Sequence, residues 1–246
     1  MKVLAFNGSP RMKMGVTDKI LQTFIQGAES AGAETETVYI AKKNIKFCSG
    51  CFNCWFKHPG KCIHDDDMME IRMKIKAADL LVFGSPVYFD GFTAQMKAML
   101  DRLIAGGMPF IEVRDGHSRH PSRGAEKKTR KMLLISTCGF GEKDNFDPII
   151  HHMKAIAKNF ATGEYMGALV RPVGSSLEML KDENPAGVKN VLDAFFQAGV
   201  EAVTTGGISD KLQEAVSAPL ITLEEFVARA NQMFQTLITQ KKSLQN

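Results

Sequence analysis

Three short, unbroken apolar runs are the feature that most constrains the fold of this chain. Each run ends at a loop rich in glycine, serine or threonine, and the three are "KVLAF" (residues 2–6), "LLVFG" (80–84) and "KMLLIS" (131–136). Continuous apolar runs of this length are typical of strands that are buried on both faces. We therefore predict that the chain folds around a parallel sheet.

Helical patterns separate these runs. Apolar residues recur on one helical face from Thr17 until Gly32, and Asp147-Pro148 is a favourable helix start. Strands that alternate with helices predict an α/β fold, here a flavodoxin-like, doubly wound sheet of five parallel strands in the order 2-1-3-4-5. The further predicted elements are an edge strand at 34–40, a last strand at 164–172, helices at 92–103, 187–203 and 222–240, and a helix in 65–78 that is capped by Asp67 and Glu70.

Composition narrows the class of protein. The 246 residues are predicted to form a single domain with a core of about residues 1–172 and a C-terminal helical extension of about residues 173–246. The net charge of +4 is mild, and no basic stripe is interleaved with aromatic residues, so we expect no nucleic-acid partner. The sequence has neither a signal peptide nor a long apolar span, which predicts a cytoplasmic protein without a membrane partner.

The loops after the first, third and fourth strands are predicted to form the functional site, because parallel sheets bind ligands at the carboxyl ends of their strands. These loops are "NGSPRMKMGVT" (7–17), "GSPVYFDG" (84–91) and "STCGFGE" (136–142). The first leads into a helix and suits a single phosphate group, since it lacks both the dinucleotide fingerprint and the Walker lysine. An ordinary strand-to-helix turn is the alternative interpretation.

Two of these motifs carry a resemblance. "NGSPR…GVT" and "GSPVYFDGFTAQMKAMLDR" together resemble the NADPH-dependent FMN reductase branch of the flavodoxin-like superfamily, over roughly residues 1–170. The resemblance implies non-covalently bound FMN, whose phosphate would contact Ser9, Arg11, Thr17 and the backbone of Val16. It also implies a ring site lined by Pro86, Val87, Tyr88 and Phe89, and a loop at the pyrimidine edge that contains Thr137, Cys138 and Gly139.

Four of the five cysteines lie within one short segment, at Cys48, Cys51, Cys54 and Cys62. Four thiolates are what a [4Fe–4S] cluster requires, and the compact spacing resembles that of the iron–sulfur flavoproteins, a subgroup of the same superfamily. The alternatives are a redox-active dithiol, thiols that bind nothing, a zinc site and a disulfide. Cys138 stands apart and is expected to be a small buried residue.

The function that the resemblance implies is an FMN-dependent NAD(P)H:acceptor oxidoreductase. Hydride would pass from the co-substrate NAD(P)H to FMN, and electrons would then pass to a small quinone-, nitro- or azo-type acceptor or to the cluster. No side-chain acid or base is required, so no catalytic residue is named. The alternative is a non-enzymatic electron carrier that docks on protein partners. The resemblance also implies a homodimer or homotetramer, with the C-terminal helices as candidates for the contact.

A basic segment precedes the fourth predicted strand. Residues 112–131 contain several arginines together with His117 and His120. One interpretation is a lid that attracts the phosphates of NAD(P)H, and the other is a solvated surface loop.

Overall fold

The computed structural model describes residues 1–124 and 128–243, and contains a five-stranded parallel sheet. Residues 125–127, within the basic segment, and 244–246, at the end of the predicted extension, lie outside the described residues. The strands of the sheet are β1 (Lys2–Asn7), β2 (Glu34–Tyr39), β3 (Leu80–Pro86), β6 (Arg130–Thr137) and β7 (Gly163–Arg171).

The strand order is β2-β1-β3-β6-β7. When only the strands of this sheet are counted, this is the predicted order 2-1-3-4-5, so the flavodoxin-like fold is confirmed. The strand β2 lies at an edge, as predicted, and its first four residues alternate between exposed and half-buried. The remaining two strands, β4 (Glu112–Arg114) and β5 (His117–Arg119), form a separate antiparallel hairpin.

Helices cover both faces of the sheet. Along β1, the side chains of Leu4 and Phe6 pack into one core, and those of Val3 and Ala5 pack into the other, as the two-residue period of a strand requires. The helices are α1 (Val16–Ser30), α2 (Asn53–Phe56), α3 (Met68–Ala77), α4 (Ala94–Arg102), α5 (Asp147–Asn159), α6 (Ser176–Met179), α7 (Pro185–Thr204), α8 (Asp210–Val216) and α9 (Leu223–Ser243). The first core contains α3, α4 and α5, and the second contains α1 and α7.

The helices α1 and α7 pack with their backbones nearly in contact. A Cβ atom on Gly27 would collide with the carbonyl of Phe196, and one on Gly199 would collide with the carbonyl of Phe24. The side chain of Phe195 is fully buried in the same core. The chain beyond residue 172 therefore supplies part of the layer that covers the sheet.

The predicted capping pair of α3 is wrong. Asp67 is the residue before the helix, but its side chain accepts a hydrogen bond from the backbone N–H of Asn44 (2.8 Å) instead of capping α3. Glu70 pairs with Lys43 and Lys74. The N–H of Met68 instead donates to the neighbouring carboxylate, that of Asp66 (3.2 Å).

The hairpin of β4 and β5 lies against the end of α5. Arg114 donates to the backbone carbonyls of Lys158 and Asn159, both at 3.3 Å. Because α5 runs antiparallel to the strands, its end lies at the edge of the sheet opposite to the carboxyl ends of the strands. This position does not support a lid over the three predicted loops. Within the described residues, no helix is long and apolar enough to span a bilayer.

Candidate functional site

The carboxyl ends of β1, β3 and β6 meet at one edge of the sheet. The backbone N–H of Gly8 donates to the carbonyl of Gly84 (2.7 Å), and the N–H of Val87 donates to the carbonyl of Thr137 (2.8 Å). The hydroxyl of Thr93, the N-cap of α4, donates to the carbonyl of Gly8 (2.7 Å). The three loops that the sequence singles out therefore form one continuous surface.

A buried asparagine shapes the first loop. The side-chain oxygen of Asn7, the last residue of β1, accepts the N–H of Ser9 (2.9 Å), and its amide nitrogen donates to the Asp18 carboxylate (2.8 Å). Burial, together with the Asp18 carboxylate, raises the pKa of Tyr39 to about 12. The sequence analysis did not identify Asn7 as a site residue, although a polar residue at the end of an apolar strand is a sequence pattern that could have indicated it.

The start of α1 leaves hydrogen-bond donors available. Among the described residues, the backbone N–H groups of Val16 and Thr17 have no partner. Ser9 is buried beside Gly15, where an added Cβ would lie 2.9 Å from the Ser9 hydroxyl oxygen. Arg11 is exposed and forms no ion pair within the described part of the chain. Free amides, a helix dipole and an arginine together attract an anion of the size of a phosphate.

The second loop forms a strained, two-residue turn. Tyr88 and Gly91 exchange backbone hydrogen bonds of 3.0 and 3.1 Å, and the residues between them, Phe89 and Asp90, have φ values of +47° and +62°. A bulky side chain rarely adopts this left-handed conformation. Phe89 is fully exposed and Tyr88 is 48% exposed, so neither packs in the core. Val87, by contrast, packs partly against the core.

Backbone hydrogen bonds join the third loop to the end of β7 and to the chain just after it. The N–H of Cys138 donates to the carbonyl of Arg171 (3.2 Å), and the N–H of Val173 donates to the carbonyl of Phe140 (2.9 Å). Cys138 is buried, as predicted. Gly139 is exposed, and its N–H has no hydrogen-bond partner among the described residues. This loop can offer a backbone donor to a ligand that occupies the edge of the sheet.

Away from these loops, the four clustered cysteines line one small cavity of about 30 Å³. Cys48 and Cys51 are exposed, Cys62 is half-buried and Cys54 is buried, and all four are free thiols, so the disulfide alternative is not realised. The turn at Gly60, with φ of +81°, lets its N–H donate to the carbonyl of Cys54 (2.9 Å). The chain thereby returns Cys62 to the other three cysteines.

A buried ion pair attaches the cysteine segment to α4. Arg102 donates to both carboxylate oxygens of Asp66, at 2.6 and 3.0 Å, and to the carbonyl of Lys46 (2.6 Å). Both side chains of the pair are almost fully buried. Burial alone would raise the pKa of Asp66, but the hydrogen bonds from Arg102, Lys46 and Met68 outweigh it and lower this pKa. Arg102 also interacts electrostatically with the Cys62 thiol.

The thiols of this segment differ in acidity. Burial raises the pKa of Cys54, and the nearby Cys62 thiol raises it further. Hydrogen bonds from the Asn53 backbone and the Ser49 side chain lower the pKa of the exposed Cys51. The cavity is also lined by His64, whose buried Nε2 has no partner among the described residues.

The cysteine cavity offers four thiols as possible ligands. Four cysteine thiolates are the number and kind of ligand that a [4Fe–4S] cluster takes. Within the described residues, no three His, Cys, Asp or Glu side chains are grouped closely enough to ligate one ion.

The fold and the loop edge define a class: a flavodoxin-like α/β protein with a phosphate-sized donor site where β1 meets α1. Residues 1–141 match the family described as NADPH-dependent FMN reductase. The chain belongs to that family, which confirms the resemblance of the two loop motifs.

Curated relatives carry a more specific name. An iron-sulfur flavoprotein of Archaeoglobus fulgidus is 39% identical over 119 residues, which cover 48% of this chain and 53% of that relative. An iron-sulfur flavoprotein of Methanocaldococcus jannaschii is 42% identical over 167 residues, which cover 68% of this chain and 81% of that relative. The match thus spans about half of the first relative and most of the second.

Solved structures share the fold at low sequence identity. An NAD(P)H:quinone oxidoreductase from Methanothermobacter marburgensis superimposes with a TM-score of 0.57 at 17% identity, over 82% of this chain and 96% of that one. An FMN-dependent NADH-azoreductase from Bacillus anthracis, solved with FMN, superimposes with a TM-score of 0.58 at 16% identity, over 84% and 99%. At this identity the likeness concerns the fold alone.

Proposed function

We propose that the edge formed by the three loops binds FMN and that the protein is an FMN-dependent NAD(P)H:acceptor oxidoreductase. The observation that carries the proposal is that the N–H groups of Val16 and Thr17 have no partner among the described residues and lie beside the Ser9 hydroxyl and the exposed Arg11. Amide and hydroxyl donors at a helix N-terminus suit the phosphate of a mononucleotide. Membership of the NADPH-dependent FMN reductase family supports the same assignment.

The second and third loops would hold the flat ring. Tyr88 and Phe89 present exposed aromatic faces two and three residues after Pro86, and Gly139 offers an N–H that has no partner among the described residues for the pyrimidine edge. Thr137, Cys138 and Val87 fix the backbone beneath the ring through the hydrogen bonds described above. When bound, FMN supplies hydride acceptance from NAD(P)H and electron release to an acceptor. The residues of this chain bind the phosphate and orient the ring.

Cys48, Cys51, Cys54 and Cys62 are the proposed ligands of a [4Fe–4S] cluster. The support is that four free thiols share one cavity and that two arginines, one buried and one half-buried, lie close to them. The thiol groups of Cys54 and Cys62 interact electrostatically with Arg72, and Cys62 interacts with Arg102. Positive charge offsets the thiolate charge that a cluster requires. The curated relatives are named iron-sulfur flavoproteins, which agrees with this ligand set.

A homodimer or homotetramer is proposed because α9 exposes an apolar stripe. Six large apolar residues along this 21-residue helix remain 45–54% exposed. Such a stripe is typical of helices that pair with another helix. The exposed residues are Leu223, Val227, Met233, Phe234, Leu237 and Ile238.

The test is analysis of protein purified without oxygen. We expect stoichiometric FMN, iron with acid-labile sulfide, and bleaching of the flavin absorbance by NADPH or NADH. Arg11→Ala is expected to weaken FMN binding by about tenfold because a charge-assisted contact is lost, whereas Arg119→Ala on β5 is not. Cys54→Ser should remove labile sulfide and leave FMN in place, whereas Cys138→Ser should retain both. A preparation that refuses added FMN would contradict the proposal.

The second candidate is a non-enzymatic electron carrier, which the cysteine cavity and the names of the curated relatives favour. The two functions differ in their source of electrons. If neither NADPH nor NADH reduces the bound flavin while reduced ferredoxin does, the carrier function is supported instead.

A further inference from the structure

A cavity of about 470 Å³ lies next to the cysteine site, at the opposite edge of the sheet from the three loops. It is bordered by the ends of α3 and α5 and by Arg130, the first residue of β6. The eight residues of β6 span about 26 Å at about 3.3 Å per residue, so the cavity is far from the proposed ring site. Its volume lies in the range of about 300–1,000 Å³ that is usual for small-molecule sites.

The lining of this cavity is strongly basic. Of the described residues that border it, four are lysine or arginine and none is aspartate or glutamate. Because the whole chain has a net charge of only +4, this is a marked local concentration of positive charge. The basic residues are Arg72, Lys76, Arg123 and Arg130.

Arg72 and Arg123 carry the charge on which the inference depends. The guanidinium of Arg72 donates to the carbonyls of Gly60 (2.5 Å) and Ala105 (3.2 Å), and that of Arg123 donates to the carbonyl of Gly107 (3.2 Å). The buried Nε of Arg123 has no partner within the described part of the chain.

The two guanidinium groups also repel each other. Burial lowers the pKa of Arg72, and the positive charge of Arg123 lowers it as well, although the Cys54 thiol acts in the opposite direction. No carboxylate among the described residues forms an ion pair with either arginine. An anion between them would therefore relieve repulsion and satisfy the buried donor.

Aromatic and aliphatic side chains form another part of the wall. The indole of Trp55 is fixed by a hydrogen bond from its Nε1 to the carbonyl of Ile104 (3.0 Å), and its centroid lies 4.7 Å from that of the His120 ring. Leu103 and Phe160 also line the cavity. An aromatic wall beside two arginines suits a ring that carries a negative group.

We propose that this cavity binds a small planar aromatic anion, with its ring against Trp55 and its charged group between Arg72 and Arg123. The site is separate from the proposed flavin site and requires neither FMN nor a hydride donor for binding. A protein without the proposed oxidoreductase activity could therefore still bind the anion, and a protein that does not bind the anion could still have that activity.

Calorimetric titration of the purified holoprotein with naphthalene-2-sulfonate tests the proposal. We expect saturable binding that weakens as salt is raised, and at least tenfold weaker binding of the uncharged naphthalene-2-sulfonamide. Arg123→Gln and Arg72→Gln are each expected to weaken sulfonate binding by about tenfold, through loss of a charge-assisted hydrogen bond. Arg119→Gln removes the same charge from a side chain that does not line the cavity, and should leave the affinity unchanged.

Trp55 provides an independent readout because it is the only tryptophan of the sequence. Naphthalene-2-sulfonate should change the fluorescence emission of Trp55 in the parent protein and in Arg119→Gln. This change should saturate at the same ligand concentrations as the calorimetric signal. The hydrogen bond of Arg123 goes to Gly107, outside the cysteine segment, so Arg123→Gln remains informative if Arg72→Gln fails to fold. Equal affinity of the sulfonate and the sulfonamide, or unchanged binding by Arg123→Gln, would overturn the proposal.

Discussion

The hydroxyl oxygens of Thr17 and Thr137 lie 2.8 Å apart and share a hydrogen bond in a buried position. The bond joins the first turn of α1 to the last residue of β6, across 120 positions of sequence. It couples the loop proposed to bind phosphate with the loop proposed to contact the pyrimidine edge.

Removal of one hydroxyl should cost more stability than removal of both. Thr137→Val leaves the Thr17 hydroxyl buried without its partner, at an expected cost of about 1–3 kcal/mol in the free energy of unfolding. In the double variant Thr17→Val, Thr137→Val, neither group is unsatisfied, so we expect most of this loss to be recovered. The measurement is urea unfolding of the parent protein, the two single variants and the double variant. If the two single losses in unfolding free energy simply add in the double variant, the two hydroxyls are not coupled.

Gly15→Ala should weaken FMN binding. An added Cβ would lie 2.9 Å from the Ser9 hydroxyl oxygen and 3.4 Å from the Cβ of Arg11, so the loop must shift. The expected effect is about a tenfold rise in the dissociation constant of FMN, which corresponds to a modest overpacking cost. Gly106→Ala is the matched control, because a Cβ there meets nothing within 4 Å. Flavin fluorescence titration of the apoproteins compares them, and equal affinities would be the contrary result.

Asp66→Asn should destabilise the protein by about 3–5 kcal/mol, because it leaves the buried Arg102 without its counter-charge. The folded-state pKa of Asp66 is lowered below its ordinary value of 3.8, so the pair contributes fully above about pH 4 and is lost as the pH falls through the lowered pKa. The difference in unfolding free energy between parent and variant is therefore expected to be constant near neutral pH and to shrink below pH 4. A difference that grows on acidification would refute the ion pair.

Gly27→Ala should destabilise the packing of α1 on α7. The new methyl group would collide with the carbonyl of Phe196, and overpacking of this kind costs about 1–3 kcal/mol. Gln26→Ala changes the neighbouring exposed position and serves as the control. Thermal unfolding of the two variants gives the comparison, and equal midpoints would show that the two helices can separate without loss.

Charged substitutions on α9 should reduce the size of the assembly. Phe234 and Leu237 lie on its apolar stripe and are 54% and 51% exposed, so Glu at both positions is expected to leave the fold of the core intact. Light scattering after gel filtration is expected to give the proposed oligomer for the parent chain and a smaller species for the variant. Glu224→Lys, which changes a charge elsewhere on the same helix, is the control. An unchanged mass would place the contact elsewhere.

Local sequence patterns were sufficient for the fold and for the position of the loops. A parallel sheet follows from unbroken apolar runs that alternate with helices, because a sheet covered on both faces is the arrangement that buries them. The turn residues of "NGSPR" and "SPVYFDG" marked the loop edge, and the four cysteines were evident from their spacing. Asp66 was the exception, since a carboxylate just before a helix resembles a cap whether or not it pairs with a distant arginine.

Contacts between distant segments were decided by the tertiary structure alone. Nothing within residues 45–65 indicates that Arg102 enters this segment, and nothing around Arg72 indicates that Arg123 lies beside it. Periodicity reports which face of an element is apolar, but a buried ion pair or a basic cavity arises from side chains far apart in sequence. The sequence by itself therefore determined the sheet, its loops and the cysteine motif. Only the folded chain decided which charges are buried together, because burial of a charge depends on every element packed around it.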